Sequence, residues 1–225
     1  MTTHPNVSLC NQDAVEFLQD LKDNSVDLVT TDPAYESLEK HRAIGTTTRL
    51  KQDWFDIFPN SRFPELFQEL YRVLKPNSHL YVMCDQETMF EIKPMGEAAG
   101  FKFWKPIVWD KVSIGMGYHY RCRYEFILFF EKGKRKLNNL GTPDVLAVNR
   151  VRGGYPTEKP VELMEVLVAQ SSQPGQLVVD PFMGAGSVGV AAYKLGRHFI
   201  GNDLSPKARE TAFARMMGVQ PTEET

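Results

Sequence analysis

Short apolar runs alternate along this chain with stretches of helical period. The first run, Val7-Ser8-Leu9-Cys10, reads as a strand, and Ala14, Val15, Phe17, Leu18 and Leu21 then fall on one helical face. A second strand spans 26–31. From 36 to 58 the chain is polar, holds Gly45 and three threonines, and predicts a mobile loop near the second strand's end. The spacing then gives an amphipathic helix over 63–74 stopped by Pro76, a strand over 79–83, and a helix over 88–99 that Pro94 kinks or breaks before Gly100. Two β-rich runs, 101–110 and 124–130, flank Gly115-Met116-Gly117 and several aromatics and read as a hairpin-type pair at a sheet edge. After an irregular stretch over 133–156 come a helix over 160–170, a strand over 176–179, a helix over 188–195, a strand over 198–201 and a helix over 206–217. Strands alternating with helices predict an α/β fold, a mostly parallel sheet covered on both faces, as one domain over 1–225.

Composition narrows this only a little. With 225 residues, 42% apolar and 24% charged, the chain is long enough for a substantial core, and it shows no repeats or low-complexity tracts. No run approaches the roughly 20 apolar residues of a membrane span, and Met1-Thr2-Thr3-His4-Pro5 does not read as a signal peptide. Cys10, Cys84 and Cys122 lack metal-ligand spacing and read as small buried hydrophobes, so no metal and a reducing cytoplasm are expected. The net charge of −2 means that any nucleic-acid surface must be local. Basic residues do cluster at Lys132, Lys134, Arg135 and Lys136, at Arg121 and Arg123, at Arg150 and Arg152, and at Lys40, Arg42, Arg49 and Lys51. A solvated face is the plainer reading of each cluster alone.

The candidate chemistry sits in two loops that each follow a strand, Asp32-Pro33-Ala34-Tyr35 and Asp180-Pro181-Phe182-Met183-Gly184-Ala185-Gly186. In an open parallel sheet, ligands bind just beyond the carboxyl ends of the strands, so two such loops on neighbouring strands face one crevice. Gly184 and Gly186 allow backbone to approach a ligand, and the helix that follows offers free amides. Asp203, at the end of the next strand, can accept both hydrogen bonds of a ribose diol; otherwise it caps the helix at Ser205-Pro206. In the first loop, Asp32 and the Pro33 carbonyl can accept hydrogen bonds from an exocyclic amine, and Tyr35 can stack on a base taken out of its duplex. An ordinary strand-ending turn is the alternative for Asp32-Pro33.

Taken together, these motifs resemble the permuted β-class of DNA amino-methyltransferases, in which the catalytic loop precedes the S-adenosyl-L-methionine loop. The resemblance runs nearly end to end, through Asn11-Gln12-Asp13-Ala14, the strand and loop of 25–35, Leu70-Tyr71-Arg72-Val73-Leu74-Lys75-Pro76, Pro156-Thr157-Glu158-Lys159-Pro160, Asp180 to Gly186 and the strand end at Asp203. It implies a Rossmann-like methyltransferase fold that uses S-adenosyl-L-methionine, with Asp32, Pro33, Ala34 and Tyr35 as the catalytic loop. It further implies Asp13, Thr157, Lys159, Asp180, Phe182, Gly184, Gly186 and Asp203 as cofactor contacts, and double-stranded DNA as partner. Lys40, Arg42, Arg121 and Arg123 are candidates for the DNA side. A homodimer stays open.

Two departures stand out. Ala34 replaces a proline usual in the family's loop, and the interval 132–155 is short where the family inserts a target-recognition region. Aspartate at position 32 resembles the adenine-N6 members more than most cytosine-N4 members. Cytosine-N4 methylation, an RNA or small-molecule substrate, and a non-catalytic nucleic-acid-binding subunit of the same fold remain as alternatives. The resemblance implies a bacterial, archaeal or phage-encoded cytoplasmic protein.

Overall fold

Neighbouring residues along the central strands face opposite sides of a single sheet, and this alternation organises the molecule. The computed structural model describes residues 2–38, 56–115, 118–152 and 157–218. Strands β1 (Thr2–His4) and β2 (Val7–Cys10) precede helix α1 (Ala14–Gln19) and strand β3 (Val26–Thr31). Helix α2 (Phe63–Val73) runs directly into β4 (Leu74–Cys84), followed by α3 (Gln86–Ala98), β5 (Lys102–Asp110), β6 (Tyr124–Lys132) and β7 (Val145–Ala147). The chain continues with α4 (Val161–Ser171), β8 (Leu177–Asp180), α5 (Ser187–Lys194), β9 (His198–Asn202) and α6 (Pro206–Met217).

Among the described residues the sheet order is β1-β2-β9-β8-β3-β4-β6-β5-β7. The run from β2 to β4 is parallel, whereas β1 and β6 are antiparallel to their neighbours there. Val29, Leu80, Val82, Leu128, Phe130 and Val179 pack with α1, α2 and α3. Leu28, Tyr81, Met83, Ile127 and Val178, one residue out of step, pack with α4, α5 and α6. This is the two-face burial expected of a parallel sheet.

Several expectations need correction. The β5–β6 pair is antiparallel as expected but does not form the edge, because β7 adds to β5 in parallel from within the stretch expected to be irregular. Helix α2 ends at Val73, ahead of Pro76 as expected, but the following strand begins earlier than the expected 79–83: Pro76 lies inside β4, where the β3–β4 register shifts between Val26 and Leu28, so its missing amide breaks no regular ladder. Pro94 does not break α3, which continues through it as one helix. Cys122 is exposed rather than buried, while Cys84 is buried and Cys10 half-buried. Most of the loop expected over 36–58, including Lys40 and Arg42, lies outside the described residues.

Candidate active site

Because β3 and β8 are adjacent and parallel, their carboxyl ends deliver the two singled-out loops side by side. Thr31, the last residue of β3, donates its hydroxyl to Asp180 Oδ1 at the end of β8, over 2.9 Å. Both loops border one cleft of about 880 Å³, lined by Asp32, Pro33, Ala34 and Tyr35 on one side and Asp180, Phe182, Gly184 and Asp203 on the other. That volume suits a cofactor-sized ligand.

The cofactor side is tied together by backbone amides and carboxylates. Asp203 Oδ2 accepts from Gly184 N at 2.9 Å and Oδ1 from Ser205 N at 2.8 Å, so one side chain anchors both the glycine loop and the approach to α6. Gly184 has φ of 49°, and a side chain there would meet open space in the cleft. Gly186 does not line the cleft. Its φ of 75° starts α5, and a Cβ there would stand 2.6 Å from that of Ala212 on α6, so its smallness serves helix packing. Asp13 caps α1 by accepting from Val15 N at 2.9 Å, and it takes two hydrogen bonds from Arg62, at 2.6 and 2.9 Å. That guanidinium holds the Asp13 carboxyl below the usual range. Phe182 packs edge-on against Phe58, with centroids 5.0 Å apart. Thr157 borders the cleft with φ of 57°.

Burial governs the carboxylates of the cleft floor. It pushes Asp180 up to about 8, against the hydrogen bonds from Phe182 N and Thr31, with Asp32 and Asp203 adding to the rise. Burial also raises Asp203, against the amides of Ser205 and Gly184. Asp203 at a strand end, tied to a glycine loop that has open space beside it, fits the nucleoside part of a ligand such as S-adenosyl-L-methionine.

On the catalytic side, Tyr35 is largely buried, and its burial lifts the phenol well above its ordinary range, so it stays protonated. Its segment is held by the Phe58 amide, which donates to Ala34 O at 2.7 Å. Lys159 borders the same cleft, and its ammonium hydrogen-bonds Asp32 Oδ2. It also stands 3.6 Å from Glu125, whose other oxygen pairs with Lys111 at 2.7 Å. Lys111 and Glu125 were not anticipated from sequence. Each is one charge among many, and only the pairing of Trp109 with Glu125 across β5 and β6 brings them to the cleft.

The expected DNA-side residues are spread differently. Arg123 makes a two-bonded contact to Asp110, and Arg121 donates to the Gly115 carbonyl, so both brace the loop between β5 and β6. Tyr118 and Tyr120 project fully into solvent from that loop. Lys132, part of an expected basic cluster, is buried and caps the carbonyls of Tyr71 and Leu74. Among the described residues no group of His, Cys, Asp and Glu is placed to hold a metal, and no helix is long and apolar enough to cross a membrane.

Comparison with known proteins adds an independent line. The profile of a family described as DNA methylase matches residues 26–214. The type II methyltransferase M.HpaI of Haemophilus parainfluenzae is 30% identical, over 90% of this chain and 72% of that protein. The type II methyltransferase M2.DpnII of Streptococcus pneumoniae is 27% identical, over 92% of this chain and 88% of that protein. Among solved structures, the complex of M1.HpyAVI with SAM superposes with a TM-score of 0.70 at 25% identity, covering 93% of this chain and 99% of that one. The cytosine-N4-specific PvuII DNA methyltransferase gives a TM-score of 0.78 at 18% identity over 95% and 87% of the two chains, a likeness of fold alone.

Proposed function

This chain belongs to the DNA methylase family of N6- and N4-amino methyltransferases, and from that premise we propose that it methylates the N6 amine of adenine in double-stranded DNA after the base is rotated out of the helix. S-Adenosyl-L-methionine is the methyl donor; it supplies an electrophilic methyl group on a sulfonium. The observation that carries the reading is the junction of β3 and β8, where the Thr31–Asp180 hydrogen bond holds the acceptor loop against the donor loop.

Each part of the cleft then has a task. Asp203 and Gly184 would hold the nucleoside end of the donor, with Asp180 and Phe182 lining the same part of the cleft. Asp32 and the Pro33 carbonyl accept hydrogen bonds from the target amine and orient its lone pair toward the methyl carbon. With the donor bound, nitrogen would bond that carbon as the carbon–sulfur pair leaves with sulfur, and the amine proton would pass to Asp32 and on to solvent. Tyr35 bounds the base on one side. An aspartate at position 32 favours adenine, whereas cytosine-N4 would present the same kind of amine to the same atoms. Incubation with labelled S-adenosyl-L-methionine and separate DNA, RNA and nucleoside pools, followed by mass identification of the product, tests this. N6-Methyladenine in duplex DNA is expected; N4-methylcytosine, or transfer only to RNA or free nucleosides, overturns the adenine-in-DNA reading.

A further inference from the structure

Asp32 is the terminus of a four-member chain of alternating charge. We propose that Lys159 and Glu125 are positioning residues for it: Glu125, backed by Lys111, holds the Lys159 ammonium on one Asp32 oxygen and leaves the other, in fixed orientation, for the target amine. The proposal rests on the amine-acceptor role given to Asp32 above.

The geometry supplies the argument. Lys159 bonds Asp32 at Oδ2, and among the described residues Oδ1 accepts no hydrogen bond. The members come from four separate places: the end of β3, the turn after β5, strand β6 and the segment before α4. All four side chains are mostly withdrawn from solvent, at 26%, 13%, 21% and 21% exposure for Asp32, Lys159, Glu125 and Lys111. Two anions against two cations leave no net charge, which is the condition for retaining such a group in a partly desolvated wall. A carboxylate without this chain would be free to turn about its terminal bond and to share its lone pairs with water.

Lys159 also reaches the donor side. Its carbonyl accepts from Ser187 Oγ at 2.7 Å, at the start of α5, immediately after the glycine loop. Its neighbour Glu158 holds Arg215 at 2.6 Å, and Arg215 in turn donates to Ala185 O at 2.5 Å within the glycine loop. The 157–159 segment is therefore fastened to the donor loop by its backbone and to the acceptor carboxylate by its ammonium. It sets the spacing between the two.

Charge effects give the test a sign. Asp32 is faced by Lys159, Glu125 and Lys111, by Asp180 from β8, by Tyr35 on its own loop, and by Cys84 at the end of β4. Burial raises its carboxyl above the usual range, against the pull of Lys159, and Glu125 adds to the rise. Lys159→Met should therefore move the Asp32 titration up, and Glu125→Gln should move it down.

The experiment measures kcat and KM on DNA, cofactor affinity by calorimetry, thermal melting, and the Asp32 carboxyl titration by 13C NMR in cofactor-free protein. Expected are losses in kcat of about 10- to 100-fold in both variants, the scale of a ~1 Å misplacement. Cofactor affinity should stay within about threefold in Glu125→Gln, the two titration shifts should have opposite sign, and Lys159→Arg should recover part of the rate. Unchanged kcat in Glu125→Gln, or an Asp32 titration that neither variant moves, overturns the proposal. If wild-type protein transfers no methyl group to any amine, the reading of Asp32 as acceptor fails instead, while the NMR titration still decides whether the chain of charges controls that carboxyl.

Discussion

Two aspartates of the cleft floor differ in what their neighbours demand of them. Asp180 titrates near 3.8 when free but near 8 when buried. Between those values unfolding lets this carboxyl lose its proton, so its contribution to stability falls as pH rises from about 4 to about 8 and is level outside that window. Asp180→Asn keeps an oxygen for Thr31 and Phe182 N but has no proton to lose. Its melting temperature relative to wild type should therefore rise between pH 5 and pH 8, and an unchanged difference would remove the ionisation from the account. Asp203 is a binding group as well as a tether. Asp203→Ala should weaken S-adenosyl-L-methionine binding by about 1.5–3 kcal/mol, the cost of losing charged hydrogen bonds, as read by calorimetry. Affinity equal to wild type would leave Asp203 as a loop anchor for Gly184 and Ser205 only. These two residues were legible in the chain because each ends a recognisable strand. The Asp32–Lys159 contact was not, since it joins positions 127 residues apart through side chains that carry no local signal.

At the level of elements, period and punctuation served well where a run was long enough to show either. Strand β3 falls on the expected residues because six consecutive positions are buried on both faces, and α6 does because Ser205 and Pro206 mark its start. The three-residue strands β1 and β7 were missed, since three positions establish no period and their pairing partners lie elsewhere in the chain. Of the two prolines read as local stops, Pro76 does follow the end of α2 at Val73, whereas α3 continues through Pro94. In α3 that tolerance has a cost. Pro94 is exposed within a helix held on its buried side by Ile92 and Gly96, so Pro94→Ala should stabilise the protein by about 1–3 kcal/mol in denaturant unfolding. A neutral or destabilising result would show that the local geometry is set for proline. Gly186 presents the opposite case. An added Cβ meets Ala212 Cβ at 2.6 Å and Cα at 3.0 Å, at a φ that side chains disfavour. Gly186→Ala should thus cost at least about 2 kcal/mol and loosen α5 from α6. Retained stability would mean that α6 can retreat without disturbing the donor loop.

The whole molecule explains why motifs 148 positions apart, at Asp32 and Asp180, form one site: the strand order sets β8 beside β3, and both loops leave the same end of the sheet. It also sets the terms on which DNA is met. The chain carries a net charge of −2, and several cations near the cleft are already engaged: Arg62 with Asp13, Lys111 with Glu125, Lys159 with Asp32, and Arg123 with Asp110. Arg150 and Lys207 line the cleft, and Arg121 stands on the loop that carries Tyr118 and Tyr120. With few unengaged cations near the cleft among the described residues, few phosphate contacts are expected there, and each contributes about −0.9 to the slope of log affinity against log salt. Duplex binding measured by fluorescence anisotropy between 50 and 300 mM salt should give a slope of about −2 to −4, with weak affinity for DNA that lacks the target. The solvent-exposed tyrosines should then matter to affinity as much as the arginines do, because stacking is insensitive to salt. A slope as steep as about −8 would place most of the binding on basic residues beyond these, and would make charge rather than shape the basis of DNA engagement.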